Sequence, residues 1–170
     1  MVVHAQVGRG YQPRYGVSPE PHARIVVMSQ AEKGQTQSEA ALVAKFVDVL
    51  RAGRSPWNGG SVLQEFGYAR GKTDIVITTE DMVIAVEAKL SDWRRAMDQA
   101  YRNTCYAQCS FVLLPSDRAR HVMKFIGEFE ERGVGLCCIE DGEVEILFAP
   151  AVQAPVEPWL TKHVRELANV

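Results

Sequence analysis

The stretch from Gly71 to Leu90 sets two Val/Ile-rich runs around a short acidic turn, Thr79-Glu80-Asp81, and carries Asp74, Glu87 and Lys89 within those runs. Such runs, bounded by turn residues, read as a hairpin of mostly buried strands. Side chains alternate between the faces of a strand. Asp74 is therefore expected on the face of Val76, and Glu87 and Lys89 on the face of Val83 and Ala85. An ionised group in such a place costs several kcal/mol unless it is paired or bound to a metal. The charges in this hairpin point to a site.

The rest of the chain limits what that site can belong to. A length of 170 residues predicts one domain with a proper core. Hydrophobic residues at 46% and charged residues at 24% match an ordinary globular protein. No apolar run approaches a membrane span or a signal-peptide core, so the expected location is cytoplasmic, with no membrane contact. Cys105, Cys109, Cys137 and Cys138 have neither disulfide-framework nor zinc-ligand spacing, and are expected to be buried free thiols.

Net charge is -2 and the pI about 6.1, which argues against coating nucleic acid through bulk positive charge. The distribution is uneven. Residues 51–72 carry four basic and one acidic side chain, whereas residues 128–145 carry seven acidic and one basic. The basic segment adjoins the charged hairpin, where it could steer a phosphate backbone, although either cluster taken alone also fits a solvated surface.

Residues 1–35 are rich in Gly and Pro and read as an arm, with one candidate strand at 25–28. Gly8-Arg9-Gly10 lacks the helix and Lys-Ser/Thr ending of a phosphate loop. Thr36 or Ser38 caps a helix that runs to Ala52 and stops at Gly53, with Leu42, Val43, Phe46, Val47 and Leu50 as its apolar stripe. Glu39 falls on that stripe and is expected to face inward. A strand is expected over 62–67, followed by the hairpin. Ser91 then caps a second helix whose buried face holds Trp93, Ala96, Met97, Ala100, Thr104 and Ala107, with Gln99 flanking it. Next come a strand at 111–114, one helix over 117–132, a hairpin over 134–139 and 144–148, and a terminal helix over 159–167. The order implies an α/β fold with a mixed sheet flanked by helices on both faces.

Glu39 on a first helix, Asp74 opening the second strand, Glu87-Ala88-Lys89 ending the third and Gln99 on the next helix together resemble the PD-(D/E)XK nuclease superfamily, whose fold is restriction-endonuclease-like. The likeness covers roughly residues 36–115. Thr73 stands where the family motif has Pro. The resemblance implies a nuclease-like domain over 36–150 and a carboxy-terminal extension over 151–170. It also implies a deoxyribonuclease dependent on Mg2+ or Mn2+, acting in repair, recombination or defence.

Within that resemblance the hard cation would be held by Asp74, Glu87 and the carbonyl of Ala88, with Glu39 binding through water or holding a second ion. Lys89 would orient the attacking water or stabilise the transition state, and Gln99 would hold the water or the scissile phosphate. Arg70, Lys72, Arg94, Arg95 and Arg102 would contact DNA. A homodimer is compatible with cutting both strands, with the arm as a candidate contact. Two other readings remain: a non-cleaving module that keeps the fold, and an unrelated α/β hydrolase or transferase. The second is weakened by the lack of a nucleophile elbow and by the scatter of His4, His22, His121 and His163.

Overall fold

A computed structural model describes residues 38–168. The amino-terminal arm, its apolar run at 25–28, the proposed dimer contact and the alternative cap Thr36 lie outside the described residues. The element order is α1 (Glu39–Arg51), β1 (Ser61–Tyr68), β2 (Gly71–Thr78), β3 (Val83–Ala88), α2 (Trp93–Asn103), β4 (Cys109–Leu113), α3 (Ser116–Val122), α4 (Ile126–Arg132), β5 (Gly135–Glu140), β6 (Glu143–Phe148) and α5 (Pro158–Ala168).

Six strands form one mixed sheet in the order β1-β2-β3-β4-β5-β6. The β1–β2, β2–β3 and β5–β6 pairs are antiparallel, while β3–β4 and β4–β5 are parallel. The helices follow from this pattern. Each parallel step needs a crossover; α2 makes the first, and α3 with α4 makes the second. The acidic β5–β6 hairpin lies at the edge of the sheet opposite β1.

Each face has its own core. Ile75, Ile77, Ile84, Val86 and Ala88 pack with Leu42, Phe46, Val47 and Leu50 of α1. On the other face, Val112, Leu114 and Leu136 pack with Ala96, Met97 and Ala100 of α2 and with Val122 and Phe129 of the next two helices. Val76, Val83 and Ala85 pack there with Tyr106 and with Leu160 and Val164 of α5. Leu160 and Val164 thus bring the carboxy-terminal helix into the core. No helix among the described residues is long and apolar enough to cross a membrane.

Three local expectations need correction. The cap of α2 is Asp92, whose side chain accepts from Arg95 N, and not Ser91. The same helix ends at Asn103, so Thr104 and Ala107 lie beyond it. The single helix expected over 117–132 is two, separated by a 3-10 turn at Met123–Phe125. The four cysteines are buried free thiols, as their spacing indicated.

Gly135 begins β5 where Phe111 and Pro150 close over the backbone. A Cβ there would fall inside the van der Waals envelope of the Phe111 ring and 2.7 Å from Pro150 Cδ. Gly135→Ala is accordingly expected to destabilise the fold by about 1–3 kcal/mol through overpacking. Urea denaturation measures this, and an unchanged midpoint would refute the close fit.

Candidate functional site

The candidate site lies at the carboxy-terminal end of β3, around Glu87, Ala88 and Lys89. Its geometry begins with an irregularity. β1 and β2 pair Gln64 with Ile75 and Phe66 with Thr73, but not Glu65 with Asp74, and Glu65 adopts φ 57°. Ile75 packs on the α1 face and Val76 on the opposite one, yet Thr73 hydrogen-bonds on the Val76 side. Alternation thus slips at Asp74. The expectation that Asp74 simply shares a face with Val76 is replaced by a carboxylate directed toward β3, where Oδ2 accepts from Ala88 N at 2.9 Å. The β2–β3 ladder begins at Ile75–Val86, so this side chain takes the place of the next backbone acceptor.

Glu87 is fully buried. Its Oε1 accepts from Asn103 Nδ2 at 2.7 Å, while Oε2 is buried with no hydrogen-bond partner. Desolvation pushes its pKa up to about 8. The Asn103 bond opposes the rise, Asp74 adds to it, and Lys89 and Arg102 oppose it. A carboxyl group half-satisfied in the core is unfavourable for folding alone, and perturbed groups of this kind cluster at functional sites.

Lys89 follows the end of β3, so strand alternation does not hold it on the Glu87 face as expected. Its Nζ reaches Glu39 Oε2 on α1 at 2.6 Å. Glu39 is 47% exposed and faces outward, which corrects its expected inward direction, while Lys89 is only 17% exposed. Ser38 explains the placement of Glu39: its hydroxyl accepts from Ala41 N, so α1 starts there and Glu39 occupies the first turn. Gln99 on α2 has a buried Oε1 without a partner.

The structure therefore brings Asp74, Glu87 and Lys89 into electrostatic contact and ties Glu39 to Lys89. It does not bring oxygens of Glu39, Asp74 and Glu87 within 4.8 Å of one another. Among the described residues that spacing is met by Cys138, Glu140 and Glu145. There Arg120 bonds Glu145 at 2.9 Å and approaches Glu140 at 3.9 Å. The Cys138 thiol, pushed up to about 11 by burial and then by Glu145 and Glu140, keeps its proton at neutral pH. That cluster is accounted for by its ion pairs.

The basic residues divide into two groups. Arg70 pairs with Glu157, Lys72 with Glu65, and Arg94 with Glu128 while stacking 4.0 Å over the Trp93 ring. Arg95 and Arg102 make no ion pair among the described residues and remain exposed on α2. Sequence reasoning missed Asn103. The signal was present: an amide three residues beyond Ala100 and four beyond Gln99 continues the inward stripe of α2.

No family model and no curated protein matches this chain. Its fold has a solved counterpart. The chain is similar to a protein of unknown function from Silicibacter pomeroyi, with a TM-score of 0.50 and 19% identity, covering 78% of this chain and 91% of that one. At that identity the likeness speaks for the fold alone.

Proposed function

We propose that this chain is a metal-dependent deoxyribonuclease of the PD-(D/E)XK type with a restriction-endonuclease-like fold. The reading rests above all on Glu87, a fully buried carboxyl group with one oxygen unpartnered and Asp74 beside it. The path of the chain supports it: a helix, a three-strand antiparallel meander, a second helix and a fourth strand parallel to the third, in the order the resemblance implies.

The residues fit Mg2+ or Mn2+. Two neighbouring carboxylates are hard oxygen donors, and magnesium is commonly bound through one or two carboxylates plus water and phosphate. Asp74 and Glu87 would hold it, with the Ala88 carbonyl as a third donor and Glu39, tied to Lys89, binding through water or holding a second ion. When bound, the cation would neutralise phosphate charge and lower the pKa of a coordinated water. Lys89, steadied by Glu39, holds an ammonium at the mouth of the site for the charge that develops on phosphate oxygens. Gln99 supplies an unpartnered amide oxygen for a water. Arg95 and Arg102 would bind the DNA backbone, with Arg70, Lys72 and Arg94 restrained by their own partners.

A second reading, a non-cleaving module that binds nucleic acid or a partner, has one observation in its favour. Glu39 and Lys89 neutralise each other, and one oxygen of Asp74 is already engaged by Ala88 N. One experiment separates the two. Purified full-length protein is incubated with plasmid, linear, single-stranded and branched DNA, with and without millimolar Mg2+ or Mn2+, beside Asp74→Ala. The nuclease reading expects metal-dependent cleavage and a metal-induced rise in melting temperature, both lost in Asp74→Ala. DNA retention without cleavage would establish the binding module, and a wild type with neither activity nor a metal response would defeat the nuclease reading.

A further inference from the structure

Asn103, Thr73, Tyr68 and Tyr106 form a polar network that the nuclease motif does not include. Asn103, Thr73 and Tyr106 are fully or almost fully buried. Asn103 Oδ1 accepts from Tyr68 OH at 2.8 Å and from Thr73 Oγ1 at 2.9 Å, while its Nδ2 donates to Glu87 Oε1 at 2.7 Å. The partners define the directions. Glu87 Oε1 accepts from Asn103 Nδ2, so the amide turns its NH2 to Glu87 and its oxygen to the two hydroxyls. Thr73 spends its one proton on Asn103. The 2.8 Å contact between Thr73 Oγ1 and Tyr106 OH is therefore donated by Tyr106.

The result is a sequence of donors running Tyr106 to Thr73 to Asn103 to Glu87, joined at Asn103 by Tyr68. Each bond polarises the next, and burial strengthens all of them. We propose that Asn103 and Thr73 are positioning residues that fix the Glu87 carboxyl through Oε1 and thereby present Oε2, its unpartnered oxygen, to the cation. The ligand role of Glu87 comes from the nuclease reading above; the orienting role of the network stands on its own bonds.

Thr73 is where this chain departs from the family motif. A proline there would offer no hydroxyl to Asn103 or Tyr106. The slip in alternation at Asp74 is what turns Thr73 onto the α2 face. The irregular backbone and the network are thus one device. The break in pairing at Glu65 and Asp74 aims Asp74 at β3 and simultaneously supplies the hydroxyl that orients Glu87.

The test is calorimetric titration of Mn2+ alone into full-length wild type, Asn103→Leu, Thr73→Val and Thr73→Ser, with melting curves confirming that each is folded. Outer partners of metal ligands typically govern affinity by about 10–100-fold. Asn103→Leu and Thr73→Val should each raise the Mn2+ Kd by about that factor, whereas Thr73→Ser, which keeps the hydroxyl, should remain close to wild type. Rescue by serine distinguishes positioning from mere filling of space. If Asn103→Leu fails to fold, the Thr73→Val and Thr73→Ser pair carries the same comparison.

Wild-type affinity in both Asn103→Leu and Thr73→Val would overturn the proposal, and wild-type affinity in Thr73→Val alone would remove Thr73 from it. If wild type itself binds no Mn2+, the metal reading fails and crystal structures of wild type and the folded variant decide the orienting role. A Glu87 rotamer unchanged in the variant would overturn it, and a carboxyl group turned or split between rotamers would uphold it.

Discussion

On the nuclease reading, Lys89→Ala is expected to lower the turnover of DNA cleavage by about 10²–10³-fold, the usual effect of deleting one group that stabilises transition-state charge. Stability should barely change. Lys89 pairs with Glu39, which is 47% exposed and can return to solvent when its partner is removed. Exposed pairs of this kind contribute about 0–1 kcal/mol. Metal binding should also persist, because the lysine contributes no ligand oxygen. Single-turnover assays, a melting curve and a Mn2+ titration on one preparation read all three quantities. Arg95→Ala and Arg102→Ala supply the contrast. If these unpaired arginines touch phosphate, each variant should bind DNA more weakly and with a shallower salt dependence, while turnover at saturation is retained. Full activity in Lys89→Ala would sink the mechanism, and equal losses of saturated turnover in all three variants would erase the division between chemistry and binding.

Glu87→Gln is expected to stabilise the free protein at alkaline pH and, on the nuclease reading, to abolish cleavage and metal binding. The Glu87 carboxyl ordinarily titrates at 4.5 and is pushed up to about 8 in the fold, chiefly by desolvation. Between those values the folded state holds a proton that the unfolded chain has released. The stability tied to this group is therefore complete below about 4.5, declines as pH rises through the window, and is fully lost above about 8. At about 1.4 kcal/mol per unit, the total is roughly 3–5 kcal/mol. An amide cannot ionise, so Glu87→Gln removes this slope and leaves the other carboxyl groups in place. Denaturant melts of the two proteins at pH 5 and pH 9 should agree at the lower pH and diverge at the higher one, with the variant more stable. Parallel curves at both pH values would mean that Glu87 is not held protonated in the core. Deprotonation is also required for a cation to bind this carboxyl, so Mn2+ affinity of the wild type should strengthen as pH rises toward 8 and beyond.

Much of the fold was legible because it depends on local periodicity. The stripe from Leu42 to Leu50, capped by Ser38 and stopped by Gly53, defines α1 with no knowledge of what it covers. The Val/Ile runs around Thr79-Glu80-Asp81 likewise define β2 and β3, and their charges mark the site. The errors fall where a short-range rule met a competing contact. Asp92 displaced Ser91 as the cap of α2 by accepting from Arg95 N. Glu39 lies on the apolar stripe by spacing, but Lys89 offers it an ion pair at the surface.

The internal arrangement of the site was decided only in three dimensions. Strand alternation presumes an unbroken ladder, and the ladder breaks at Glu65 and Asp74, so the faces of Thr73 and Asp74 depend on two strands together. The bond between Asn103 and Glu87 spans sixteen residues and exists because α2 crosses back over β3. The role of α5 is likewise invisible to periodicity, since an amphipathic helix announces an apolar face without naming its partner. By itself the sequence determined the elements, their order and which charges are costly to bury. The tertiary structure decided which oxygens are satisfied and which, Glu87 Oε2 and Gln99 Oε1 among them, are left open, because hydrogen bonding depends on distances between segments that no local pattern encodes.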